Sequence, residues 1–177
     1  RDSPLTVSDM AVTWVPAYLG LGSNLDDPQR QLDAAEQGLA ELPDCRLIAV
    51  SSRYHSQPVG FADQPLFVNA AAALLTTLGP PELLQALQGL ERRLGKVPPR
   101  IRNGPRRIDL DLLVYGSEQR STDALELPHP RLHQRAFVLY PLHEIAPQLW
   151  IPNVGRVSRL RAEVGDDGLM PHRNLTA

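Results

Sequence analysis

Two aspartates one residue apart, Asp109 and Asp111, lie in a segment that otherwise has the composition of a buried strand. Because strand side chains alternate between two faces, both carboxylates are expected on one face, with Cα atoms about 6–7 Å apart. Two carboxylates at this spacing repel each other and lose hydration on burial, and a cation between them offsets both effects. Arg106 and Arg107, directly upstream, indicate a polyanion as the third partner. The run therefore predicts Mg²⁺ held by two carboxylates together with phosphate oxygens.

An ion-pair network between these aspartates and arginines is the alternative interpretation, because such networks also perturb carboxylates without any metal. Strict alternation places Arg107, not Arg106, on the face of the aspartates. Pro105 marks a turn into the strand, so the alternation need not extend back to Arg106. The residues alone leave both the metal and the choice of arginine open.

Composition narrows the class of protein. The 177 residues carry 18 Lys and Arg against 20 Asp and Glu, which argues against a general nucleic-acid binder. The single cysteine, Cys45, excludes an intrachain disulfide and favours a reducing compartment. The chain has no long apolar run and no basic segment followed by an apolar one at its start. We therefore expect no membrane partner, no secretion signal and a cytoplasmic location.

Periodicity and chain breakers predict the elements that position the two aspartates. They are strand 17–22, helix 28–42, strand 46–54, strand 67–77, helix 80–94, the aspartate strand, and a third helix that begins near Leu132. The order matches the split βαβ pattern of a ferredoxin-like α+β sandwich, an antiparallel sheet with helices packed on one face. Residues 1–14 are expected to form a flexible extension, and residues 15–177 a single domain.

Four blocks of this sequence resemble the 6-hydroxymethyl-7,8-dihydropterin pyrophosphokinase family of the folate pathway, in the family's order and spacing. The blocks are YLGLGSNL at 18–25, QPLFVNA at 64–70, GPRRIDLD at 104–111 and PHPRLHQRAFV at 128–138. The resemblance implies transfer of pyrophosphate from ATP to the hydroxymethyl group of the pterin, with AMP as the other product. It implies a monomer that uses two Mg²⁺ ions arriving with ATP.

The resemblance also assigns roles to individual residues. Asp109 and Asp111 match the family's metal ligands and, with Arg106, form the catalytic set; this choice selects Arg106 over Arg107. ATP binding falls to Glu91, Arg102, Arg106, Leu112, His129 and Arg135. Pterin binding falls to Ser56, Gln57, Val59, Gly60, Phe67, Asn69, Asp109 and Phe137, with the flat ring between the two phenylalanines.

Several of these residues have a plainer interpretation. The two phenylalanines would by default belong to the core, and Glu91 and Arg135 to solvated helix surfaces. Arg131 and His133 are expected to be surface residues. The glycines of Gly20-Leu21-Gly22 are expected to allow close backbone packing, because the third glycine of a dinucleotide fingerprint is missing and no phosphate-binding P-loop motif occurs.

The loop before Gly104 departs from the family pattern. Asn103 stands where many members have tryptophan, and Pro98-Pro99 replaces basic or polar residues and should stiffen the loop. Two other functions are compatible with a paired-aspartate strand on this fold. One is a nucleotidyltransferase or cyclase, which would not need the pocket formed by Phe67, Asn69 and Phe137. The other is a regulatory module that binds ATP without consuming it.

Overall fold

The computed structural model describes residues 12–60, 62–98, 101–166 and 168–171. The strands are β1 (Val15–Ser23), β2 (Cys45–Val50), β3 (Tyr54–Ser56), β4 (Phe67–Thr76), β5 (Asp109–Tyr115), β6 (Arg120–Ser121), β7 (Glu126–Leu127), β8 (Trp150–Ile151), β9 (Gly155–Arg156) and β10 (Leu169–Pro171). The helices are α1 (Pro28–Ala40), α2 (Pro80–Arg93), α3 (Ala136–Ile145) and α4 (Val157–Val164), with a 3₁₀ turn at Leu132–Gln134. None of the described helices has the length and apolarity to cross a bilayer.

The main sheet has the strand order β10-β3-β4-β1-β5, and β2 also pairs with β4. Every pairing within it is antiparallel, so the predicted ferredoxin-like α+β architecture is confirmed. The alanine-rich segment is a strand, β4, although alanine favours helix. Its small side chains are buried because helices pack on both sides of the sheet.

One predicted strand, 46–54, is wrong in its extent, because the structure has two strands there. Ser51 still bonds to β4, through its backbone N–H to the Ala71 carbonyl at 2.9 Å. The next residue leaves the ladder: the N–H of Ser52 donates to the Glu144 carboxylate of α3 at 2.6 Å. A contact with a residue 92 positions away therefore ends β2.

The expectation of helices on one face only is also wrong. One face of the sheet packs against α1 and α2, through residues such as Leu32 and Leu87. The other face packs against α3 and α4, where Leu139 and Leu160 join Leu113 in a second apolar cluster. The chain after Leu132 supplies this layer.

The predicted flexible extension falls mainly on residues 1–11, which lie outside the described residues. Trp14, within the predicted extension, packs against the sheet, since the Arg46 guanidinium carbon lies 4.3 Å from its ring centroid. Division into an extension and one domain therefore stays a prediction for the residues before position 12.

The pairing of β5 with β1 sets the surroundings of the two aspartates. β5 lies at the end of the sheet, and Asp109 and Asp111 are opposite Gly22 and Gly20 on β1. Side chains that are directly opposite on antiparallel strands share a face. Both aspartates therefore lie on one face, as predicted, and their cross-strand neighbours have no side chains to cover them.

Candidate active site

Two cavities meet at the aspartate strand. The first, here called the sheet cavity, has a volume of about 140 Å³ and lies over β1 and β4 on the α3 side. The second, the edge cavity, has a volume of about 350 Å³ and lies along the outer edge of β5. Asp111 lines both cavities, so a ligand group held by its carboxylate can contact molecules in each.

The carboxylate of Asp109 has a cation at each oxygen. Nε of Arg106 donates to Oδ2 at 2.6 Å, and Nζ of Lys96 lies 2.8 Å from Oδ1. Arg107 is directed elsewhere and pairs with Asp26 at 2.6 Å. The structure thus places Arg106 beside the aspartates, because regular strand alternation begins only at Asp109.

Asp111 has the opposite surroundings. Among the residues that the structure describes, none donates a hydrogen bond to its carboxylate. The side chain is exposed to solvent because it opens into both cavities, although the protein atoms around the carboxylate are dense enough to disfavour its charge. Burial, and next the negative charge of Asp109, raise its pKa from 3.8 to about 6, against the opposing charges of Lys96 and Arg135.

The two carboxylates fit a divalent cation. They supply hard oxygen donors on one face, and Asp111 accepts no hydrogen bond from any residue that the structure describes, despite the charge of neighbouring Asp109. No group of three or more His, Cys, Asp or Glu side chains arranged for a metal occurs among the described residues. Phosphate oxygens are the natural further ligands for Mg²⁺ at a site with two carboxylates.

Lys96 is a site residue that the sequence interpretation missed. Its Nζ also lies 2.8 Å from Oε2 of Glu91, and that same oxygen accepts the N–H of Leu110 at 2.9 Å. Burial opposes the charge on Lys96, but Asp109 and Glu91 outweigh it and raise the lysine pKa. Glu91 is therefore buried and bonded, not solvated on the helix surface. The available signal was a lysine three residues after the end of α2, at the start of the arginine-rich loop.

All of the predicted pterin residues except Gly60 line the sheet cavity. Asn69 is buried, and its Nδ2 donates to Ser56 Oγ at 2.8 Å and to the Tyr54 carbonyl at 3.3 Å. These two acceptors orient the amide, so Oδ1 is the acceptor available to a ligand. A Cβ built on Gly22 would lie 3.5 Å from that oxygen.

The glycines of β1 therefore have a second role besides close packing. Gly20 and Gly22 both line the sheet cavity, and their lack of side chains leaves its floor open. This use was not predicted from the sequence.

The two predicted aromatic residues both face the sheet cavity. The Arg106 guanidinium carbon lies 4.9 Å from the ring centroid of Phe67, and that of Arg135 lies 5.5 Å from the centroid of Phe137. Each phenylalanine ring is thus in cation–π contact with an arginine of the site.

His129 is fixed at the edge cavity by its backbone, since its N–H donates to the Leu113 carbonyl at 2.8 Å. Burial, and then the charges of Arg135 and Arg131, lower the pKa of the imidazole. Arg131 is exposed, as predicted, but it also lines the sheet cavity. The histidine is accordingly neutral near pH 7 and has one N–H to donate.

The remaining predicted residues divide between the cavities and the surface. Ser56, Gln57 and Val59 line the sheet cavity, and Glu91 and Leu112 line the edge cavity. Gly60 and Arg102 line neither of these two cavities. Gly60 instead abuts Asn103, whose Nδ2 would lie 2.7 Å from a Cβ at this position. Residues 99 and 100 of the departing loop lie outside the described residues.

A family model described as 7,8-dihydro-6-hydroxymethylpterin-pyrophosphokinase (HPPK) matches residues 18–147. The chain belongs to the HPPK family. The matched range contains both aspartates, both phenylalanines and every other predicted site residue.

Full-length relatives agree with this assignment. A protein of Pseudomonas aeruginosa is 45% identical over 152 residues, which cover 86% of this chain and 93% of the relative. A protein of Haemophilus influenzae is 43% identical over 152 residues, with 86% and 94% covered. Both are named 2-amino-4-hydroxy-6-hydroxymethyldihydropteridine pyrophosphokinase.

Solved structures support the fold. An HPPK-DHPS protein of Plasmodium falciparum, crystallised with pteroate, superposes with a TM-score of 0.64 at 15% identity. The match covers 85% of this chain but only 43% of the Plasmodium chain. At this identity the likeness concerns the α+β fold alone.

The predicted family and function are confirmed. The reaction of HPPK enzymes transfers pyrophosphate from ATP to hydroxymethyldihydropterin in folate biosynthesis, and the protein is accordingly a transferase of the kinase type. Neither a cyclase nor an ATP-binding regulatory module is supported by these comparisons.

Proposed function

We propose that the pyrophosphoryl transfer takes place at Asp109 and Asp111, with 6-hydroxymethyl-7,8-dihydropterin in the sheet cavity and ATP in the edge cavity. The observation that carries this proposal is that Asp111 lines both cavities. A transfer between two ligands needs a point where their reacting groups meet, and the aspartate strand is the boundary that the two cavities share.

The sheet cavity is suited to a flat heterocycle with a mixed polar edge. Phe67 and Phe137 supply aromatic faces, and stacking on such faces is favourable for a planar ring. Asn69 presents Oδ1 as an acceptor for a ring N–H, because its Nδ2 already bonds to Ser56 and Tyr54. The loop with Gln57, Val59 and Gly60 supplies further backbone groups in this proposal.

The edge cavity receives the nucleotide. Arg106 and Arg135 line the sheet cavity, and they would provide planar guanidinium groups for phosphate oxygens where the two cavities meet. Neutral His129, which lines the edge cavity, would donate one hydrogen bond. In this proposal Leu112 and Glu91 contact the nucleoside part, and Arg102, which lines neither cavity, would have to move with its loop to reach the nucleotide. These groups position the reacting atoms, and no protein nucleophile is needed, since positioning and charge stabilisation carry such transfers.

Asp109 and Asp111 would hold the metal, which we propose to be two Mg²⁺ ions that arrive with ATP. When bound, Mg²⁺ neutralises phosphate charge and lowers the pKa of the attacking hydroxyl group. Because the metal ions arrive with ATP, ATP binds before the pterin in this proposal. We further propose that the enzyme acts as a monomer in the cytoplasm, where the lone Cys45 stays reduced.

The test of this function is a product assay. The protein is incubated with Mg-ATP and hydroxymethyl-dihydropterin, and AMP is measured together with the pterin diphosphate. AMP in equal amount to the pterin diphosphate supports the proposal. Release of inorganic pyrophosphate with nucleotide attached to the acceptor would indicate nucleotidyl transfer instead, and unchanged ATP would indicate a binding module.

A substitution of Gly22 tests the placement of the pterin. Gly22→Ala is expected to raise the pterin KM about tenfold or more, since loss of one good contact is worth roughly 1–3 kcal/mol. The fold should persist, because the added Cβ would have only ordinary contacts, at 3.5 Å and beyond. Steady-state kinetics and thermal unfolding measure the two effects.

Gly89→Ala on α2 is the matched control for this substitution, because a Cβ there approaches only arginine side chains. It should leave the pterin KM unchanged. An unchanged pterin KM in Gly22→Ala, or an equal rise in the KM for ATP, would place the pterin elsewhere.

A further inference from the structure

Both oxygens of Asp109 are already paired with cations, so a metal ion bound there competes with two positive charges for the same carboxylate. Arg106 is held by further contacts: Nη1 donates to the Gly104 carbonyl at 3.0 Å and the guanidinium lies on the ring of Phe67. Lys96 has a flexible, unbranched side chain, and among the described residues its only other ion pair is with Glu91. Lys96 is therefore the cation that is easier to displace.

Glu91 keeps Lys96 next to the site. The carboxylate is buried and fixed, because the oxygen that pairs with Lys96, Oε2, also accepts the N–H of Leu110 on β5. Lys96 also lines the edge cavity, where the phosphates of ATP are proposed to lie. Its ammonium can thus exchange Asp109 for a phosphate oxygen through a side-chain movement.

We propose that Lys96 is a built-in competitor of the divalent cation at Asp109, and that it makes metal binding depend on nucleotide. A metal ion alone brings two positive charges close to Lys96 and Arg106, which is unfavourable. A metal ion accompanied by phosphates brings negative charges with which the displaced ammonium pairs. This inference rests on the proposed assignment of the metal to Asp109 and Asp111.

The test measures Mn²⁺ binding to the whole chain without nucleotide, by the electron paramagnetic resonance signal of free Mn²⁺. Lys96→Gln is expected to bind Mn²⁺ about tenfold or more tightly than the unmodified protein, because a charge a few ångströms from the metal is removed. Arg93→Gln is the control, since it removes one exposed positive charge three residues away. It should change the affinity by less than about threefold.

Bound nucleotide should abolish or reverse this difference in Mn²⁺ affinity between Lys96→Gln and the unmodified protein. In the presence of α,β-methylene-ATP, which cannot transfer its pyrophosphate, the two proteins are expected to bind Mn²⁺ with similar affinity, or the unmodified protein more tightly. If Lys96→Gln unfolds, Lys96→Met is measured in its place.

Equal Mn²⁺ affinity of the unmodified protein and the Lys96 variant without nucleotide, including no detectable binding by either, would overturn the proposal. If instead the proposed metal site itself is wrong, a different result is expected. Asp109→Asn would then leave Mn²⁺ binding unchanged even with the nucleotide analogue. If Asp109 does hold the metal, the double variant Asp109→Asn and Lys96→Gln should lose the gain in Mn²⁺ affinity that Lys96→Gln shows alone, because the metal ligand is removed.

Discussion

Asp111→Asn is expected to reduce turnover by about a thousandfold or more, because it removes the carboxylate that lines both cavities and that we propose as a metal ligand. The folded protein should nevertheless become more stable near pH 7. The pKa of Asp111 is raised to about 6 from 3.8, so the ionised carboxylate destabilises the free protein. This destabilisation is absent below about pH 4, grows as the pH rises between the two pKa values, and is complete above pH 6.

The measurements are the AMP-forming rate and thermal unfolding at pH 4 and pH 8. Asp111→Asn should unfold at a higher temperature than the unmodified protein at pH 8 and at the same temperature at pH 4. Asp123→Asn, an exposed carboxylate on another loop, should show neither effect. Near-normal turnover in Asp111→Asn, or a stability difference that does not change with pH, would contradict the assignment.

Mg-ATP should reverse the order of stability. A ligand that binds only the folded state raises its unfolding temperature according to concentration and affinity. The unmodified protein should gain from Mg-ATP, and Asp111→Asn should gain little. In that case the same carboxylate would destabilise the free enzyme and stabilise the complex with Mg-ATP.

Arg106→Ala is expected to lower kcat about a hundredfold or more, the effect of losing one charged donor to developing phosphate charge. Arg107→Ala provides a matched control at the next position. Arg107 forms an exposed pair with Asp26, and such pairs contribute about 0–1 kcal/mol. The control should therefore retain kcat within about twofold and lose little stability.

Steady-state kinetics with both substrates distinguish the two arginines. A large loss of kcat in Arg107→Ala with little in Arg106→Ala would favour the assignment that strict strand alternation predicts. Equal losses in both variants would indicate a general electrostatic effect of the loop.

The sequence predicted those parts of the site that depend on local geometry. Strand alternation alone put Asp109 and Asp111 on one face, which the structure confirms. Alternation failed at Arg106, because the chain is not yet a strand there and the side chain turns toward Asp109. The family resemblance supplied that choice.

Contacts between distant segments could not be predicted in this way. Lys96 reaches Asp109 only because α2 ends beside β5, which no periodicity reveals. The break between β2 and β3 depends on Glu144, far along the chain. The second helical layer depends on apolar residues after position 132, whose pattern does not state which face of the sheet they cover.

The end position of β5 in the sheet has a consequence for self-association. An end strand with unpaired backbone groups can add a strand from another copy. Here the Leu110 N–H is taken by the Glu91 carboxylate and the Leu113 carbonyl by the backbone of His129. The Glu91 side chain and the loop at His129 therefore occupy both of these hydrogen-bonding positions, so an incoming strand cannot use them. The adjacent edge cavity remains accessible to a small molecule.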